Sequence, residues 1–152
     1  MSPIPVPPDG WRERAQLAVA QGQKIDERTP GILLDSPVSR LGYWYACAVG
    51  WTWGTIWSTG QVQKRGDLWV FRGLPRWAFP RGGVCVGHCY LTGNAPVTPR
   101  VLRHEAIHVR QWRRYGFLMP MLSALSGRDP LRNRFEIEAG LEDGNYVPRG
   151  ME

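Results

Sequence analysis

His104-Glu105-Ala106-Ile107-His108 sets two imidazoles four residues apart with a carboxylate beside the first. On a helix, positions four apart lie one turn apart on the same face, so both rings can reach a single ion. Neutral imidazole nitrogens suit Zn2+ at about 2.0–2.1 Å, and a hydrolytic zinc site leaves one position for water. Bound zinc brings the pKa of that water toward about 7, and a neighbouring carboxylate can take its proton. Glu105 is the candidate for that general base, and His104 and His108 are the candidate metal ligands. The ordinary alternative is a pair of core histidines with Glu105 in a surface salt bridge.

Two local signals make the motif helical. Thr98 can cap a helix whose first residue is Pro99, and Gly116 is a natural stop after Tyr115. Val101, His104, His108, Trp112 and Tyr115 then form one stripe, so the imidazoles share the inward face with apolar residues. A third ligand is still needed. The stretch Asn133-Arg134-Phe135-Glu136-Ile137-Glu138-Ala139 offers two carboxylates among apolar neighbours. Glu136 and Glu138 stand about 200° apart around a helix, so only one of them can face the metal.

H-E-x-x-H followed by a glutamate in an E-x-x-A context resembles the gluzincin zinc metallopeptidases. The short separation of 28 residues between His108 and Glu136 is similar to the compact, minimal gluzincins. The run Leu102–Trp112 and the Gly87-x-x-Tyr90 pattern ahead of the helix share that resemblance, which spans Val84 to Asp143. It implies that His104, His108 and Glu136 hold Zn2+ and that Glu105 is general base and acid. It also implies a zincin-like fold, a peptide or protein substrate, and a sheet edge at Val84–Leu91 to which an extended peptide can add. The pattern departs at Gly140, where many gluzincins carry an acid that supports a ligand histidine. No oxyanion stabiliser stands out; His88, Tyr115 and Tyr146 are the candidates.

The elements around the motif read as one α+β domain, within what 152 residues can fold. Residues 1–10 read as a proline-rich tail, extended or disordered, and Trp11–Gln23 has the composition of a short helix. Residues 42–92 are β-like, rich in aromatic and β-branched residues and broken by glycines. Within them Leu68–Phe71 is a strand preceded by a hairpin turn at Lys64–Asp67, and Val84–Leu91 is a second strand. Residues 98–144 are the helical, metal-binding part, with a last helix opening at Asp129-Pro130 and closed by Gly144. The expectation is a small, mostly antiparallel sheet followed by the active-site helix and one or two C-terminal helices.

Composition bounds the setting. An odd number of cysteines (Cys47, Cys85, Cys89) gives no disulfide framework, and the N-terminus has no secretory signal pattern, so a reducing cytoplasmic setting is expected. Leu41–Trp57 carries no charge, yet it is rich in Trp, Tyr, Thr and Gly. That favours buried or interfacial strands over a spanning helix and leaves peripheral membrane contact open. The net charge is +6, and seventeen of the nineteen basic residues are arginine. Arg103, Arg110, Arg113, Arg114, Arg128, Arg132 and Arg134 gather around the metal helix, a basic face that could meet phosphates. No nucleic-acid signature accompanies them, which ranks nucleic acid behind a peptide as partner.

Overall fold

The computed structural model describes residues 3–152 and has an α+β architecture. The first two residues of the expected tail lie outside the described residues; 3–8 form no regular element, and Pro7 is buried. Helix α1 (Trp11–Arg28) outruns the expected Gln23 limit, and α2 (Pro37–Trp57) follows it. Four short strands come next: β1 (Gln63–Arg65), β2 (Leu68–Phe71), β3 (Gly83–Val86) and β4 (Cys89–Thr92). Helices α3 (Pro99–Tyr115), α4 (Met119–Leu125) and α5 (Arg134–Ala139) complete the chain. The spatial order of the sheet is β1-β2-β4-β3. The two hairpin pairs are antiparallel, and the central β2–β4 pair is parallel.

The β-like reading of 42–57 is corrected: that stretch is the greater part of α2. Local chemistry starts the helix. Ser36 and Ser39 exchange hydrogen bonds in a capping box, and Pro37 occupies the first turn. What holds the helix is a stripe of small residues every four positions, Gly42, Ala46, Gly50 and Gly54. A Cβ at Gly42 would lie 2.3 Å from the Phe117 amide nitrogen, and one at Gly54 would lie 2.5 Å from the Phe71 ring. The stripe therefore lets the helix lie directly against backbone and core rings, and this close packing overrides the β propensity of its aromatic residues.

Two further boundaries differ. Val84–Leu91 is not one strand but the β3–β4 hairpin, turning at Gly87-His88 with Gly87 at φ +62°. The two-residue turn fits under α2, where a side chain on Gly87 would strike the Cys47 backbone at 2.5 Å. The last helix is also shorter than expected. Asp129 does bond the Leu131 amide, but the result is a turn, and Asn133 is the residue that caps α5. Gly140, at φ +97°, stops α5 well before Gly144. By contrast Thr98, Pro99 and Gly116 bound α3 as expected, and Gly66-Asp67 turns β1 into β2.

The core has two sides. On one, Leu68, Val70, Cys85 and Tyr90 pack with Tyr43 and Cys47 of α2 and Val109 of α3. On the other, Phe71, Cys89 and Leu91 pack with Leu74, Phe79 and the indoles of Trp51 and Trp57. Helix α2 contributes to both, crossing the end of the sheet at the Gly87 turn. The three cysteines are buried and unpaired. No helix of the described residues is long and apolar enough to cross a membrane.

The ends of α1, α3 and α5 meet at one buried ion pair. Arg134, only 3 % exposed, donates to Asp26 at 2.8 Å, and the Tyr115 hydroxyl donates to the same carboxylate at 2.6 Å. Burial raises the Asp26 carboxyl, but Arg134 and Tyr115 override it and hold the group below its ordinary value. A depressed carboxylate contributes stability above its unfolded pKa of about 3.9, and that stability is lost as pH falls through the folded value. Asp26→Asn should therefore lower stability by roughly 3 kcal/mol at neutral pH, because it strands the buried guanidinium. Chemical denaturation from neutral to acid pH checks this; the gap between the two proteins should close as pH drops below about 4. In the same assay Gly42→Ala should cost about 1–3 kcal/mol by overpacking against Phe117. Gly31→Ala, with open space around it, should change stability by less than about 0.5 kcal/mol.

Candidate metal centre

His104 and His108 lie on consecutive turns of α3, and Glu136 lies in the first turn of α5, which packs against α3. Their ligating atoms converge. His104 Nε2 and His108 Nε2 are 3.1 Å apart, and Glu136 Oε2 is 3.2 Å from the first and 3.6 Å from the second. A tetrahedral ion with bonds of about 2.0–2.1 Å separates its ligands by about 3.3 Å, so the three atoms mark three corners of such a site. This buried group could hold a metal ion. Glu138, the other carboxylate of α5, points away and receives a long hydrogen bond from Gln111 at 3.4 Å.

The outer nitrogens of both rings are tied down. His104 Nδ1 lies 3.0 Å from the Gly140 carbonyl oxygen, which can only accept, so Nδ1 carries the proton. His108 Nδ1 lies 2.7 Å from Gln111 Oε1. The Gln111 amide nitrogen donates to the Phe135 carbonyl at 3.0 Å, which fixes Oε1 as the acceptor facing the ring. Both Nε2 atoms are then left as lone pairs aimed at one point. At Gly140, which has no side chain to offer, the residue's own carbonyl supports the His104 ring, presented because the chain leaves α5 there.

The electrostatics favour a cation at this point. Burial pushes the Glu136 carboxyl up, but the two imidazoles override it and hold it well below the usual carboxylate range. Burial would lower His108, yet Glu136 and Glu105 push it up to about 9. Glu136 Oε2 has no hydrogen-bond partner among the described residues, although it is buried and close to both rings. The donor set of two imidazoles and one carboxylate, with an orphaned anionic oxygen between them, fits a divalent metal.

Glu105 is 7 % exposed and forms no ion pair with arginine or lysine among the described residues, which removes the surface salt bridge as its explanation. It lines the same cleft as the three ligands, and its Oε2 also lacks a hydrogen-bond partner. Burial raises its carboxyl, the imidazoles oppose that, and Glu136 adds to it; the net shift is upward.

The cleft has a volume of about 860 Å³ and runs between β3 and the segment from α4 to α5. Of the candidate oxyanion stabilisers only Tyr146 borders it, with its ring 5.9 Å from that of His104. Burial, with Glu136 nearby, pushes the Tyr146 phenol up to about 12, so it stays protonated and keeps an O–H for hydrogen bonding. Tyr115 is at the far end of α3 with its hydroxyl given to Asp26, and His88 sits in the hairpin turn against Trp51 and Tyr43. Among the arginines near the helix, Arg103, Arg114, Arg132 and Arg134 are engaged by Asp143, Asp26, Asp35 and Asp129. Sequence reasoning missed Gln111, although its place three residues after His108 on the inward face was a usable signal.

No protein-family model matches the chain, and neither a curated protein nor a solved structure is significantly similar to it. The site therefore rests on its own geometry. Gln111→Leu should preserve the three ligands but release the His108 ring, weakening metal affinity about 10–100-fold. Competition with a chromophoric chelator measures this, and unchanged affinity would remove Gln111 from the site.

Proposed function

We propose that the chain is a zinc-dependent metallopeptidase of the compact gluzincin type. The observation that carries this reading is Glu105. It is a buried carboxylate without a hydrogen-bond partner, in the same cleft as a two-histidine, one-glutamate metal group. A purely structural metal site has no use for such a group, which is costly to bury.

In this reading His104, His108 and Glu136 would hold the ion at the wall of the cleft that Glu105 also lines. Zinc bound there would acidify a water molecule and polarise the scissile carbonyl. Glu105 accepts the proton of the attacking water and passes it to the leaving amine, a role suited to a carboxyl whose affinity for protons is raised by burial. Tyr146 donates a hydrogen bond to the carbonyl oxygen as negative charge develops on it. Strand β3 is an edge strand and lines the cleft through Gly83–Val86. An extended peptide can add along its outer side, where the Trp112 indole already engages the Cys85 carbonyl, and would then lie in the cleft beside Glu105.

Cleavage of a quenched-fluorescent peptide pool, read beside metal content by elemental analysis, tests the reading. Wild type should carry about one zinc per chain and cleave, as expected of a three-ligand catalytic site. His108→Ala should lose the metal. Glu105→Gln should keep the metal and lose about 10²–10⁴-fold in rate. Full activity in Glu105→Gln would end its role as base, and a metal-loaded wild type that cleaves nothing would favour a non-catalytic zinc scaffold.

A further inference from the structure

Helix α2 is packed along one side only. Its inward side carries Ser39, Gly42, Tyr43, Ala46, Cys47, Gly50 and Gly54. From Leu41 onward its outward side is uncharged and mostly apolar: Leu41, Trp44, Tyr45, Val49, Trp53 and Ile56 are between 38 % and 64 % exposed, with Thr52 and Thr55 the exposed polar residues among them. No charged residue interrupts the helix from Leu41 to Trp57. The uncovered face extends beyond the helix, because Trp77 packs edge-on against Trp53 and Trp57 and is itself 63 % exposed. A helix of 21 residues is about 30 Å long, so this is a continuous apolar strip and not a scatter of single side chains.

Charge around the strip is one-sided. Between residues 36 and 99 the chain has one acid, Asp67, against six arginines and lysines. Arg40 lies on α2 itself, and Arg76 adjoins Trp77; both are exposed. Neither makes an ion pair among the described residues, whereas several arginines around the metal helix are paired.

We propose that the outer face of α2, with Trp77, docks the protein on the surface of an anionic lipid membrane. The helix lies flat in the interface and does not cross it. Exposed Trp and Tyr suit the headgroup region, where an amphipathic ring has both an apolar and a wet neighbour. The aliphatic residues between them bury into the acyl boundary, and the unpaired basic residues meet anionic headgroups. The charge argues against a second copy of the chain as the occupant, since two such faces would bring like charges together. No residue of α2 borders the metal cleft, so docking leaves the cleft free.

Flotation of the full chain with vesicles tests this, using phosphatidylcholine alone and phosphatidylcholine mixed with phosphatidylserine. Wild type should float with the anionic vesicles and far less with the neutral ones. Trp44→Ser with Ile56→Ser should abolish flotation; both residues are exposed, so the fold should persist, as a thermal melt will show. Arg40→Gln with Arg76→Gln leaves the apolar strip intact and should weaken anionic binding about fivefold for each charge removed. Equal binding to both vesicle types, or to neither, would overturn the proposal. So would a dimer in solution that Trp44→Ser with Ile56→Ser converts to monomer without any vesicle binding.

Discussion

Two imidazole lone pairs aimed at the same point repel each other, and the fold is arranged to keep them so aimed. The Gly140 carbonyl and the Gln111 side-chain carbonyl each accept a hydrogen bond from the outer nitrogen of one ring, turning both Nε2 atoms toward the same point, 3.1 Å apart. Glu136 brings a negative oxygen to the same point. Positive charge placed at that point would be favoured by all three groups at once. The elements behind them act as the frame: α3 carries the rings, its Val109 side fixes it to the sheet, and α5 presents the carboxylate.

The centre was legible in the sequence because its information is local. His104 and His108 are four apart on a helix with clear start and stop signals, and Glu136 sits in a recognisable context. Such features survive whatever the rest of the chain does. The partners of the rings were less legible. Gly140 contributes through its backbone, which residue identity does not report, and Gln111 needed the position of α5 before its amide had anything to bond.

The misread of α2 has a different origin. Trp, Tyr and Thr raise its β propensity, and an uncharged run suits a buried or interfacial strand as well as a helix. The decisive signal was the four-residue period of Gly42, Ala46, Gly50 and Gly54, which specifies a helix whose backbone touches its neighbours. Small residues contribute little to hydrophobic patterning, so a period made of them is easily overlooked. Val84–Leu91 was misread for a related reason: the apolar run continues through a turn, and only Gly87 marks the bend.

Helix α5 has six residues, too few to hold itself together without outside contacts. One side of it offers Glu136 to the two imidazoles of the candidate metal group, and Arg134, two residues before, reaches Asp26 on α1. The order of this short segment is thus shared between two partners that never touch each other. Thermodynamic linkage makes the sharing symmetrical: to the degree that a metal ion firms up α5 and tightens the seat of α1, a seated α1 tightens the metal by the same factor. With a metal ion bound, the amino-terminal helix, which contributes no ligand, would by this route help set that ion's occupancy.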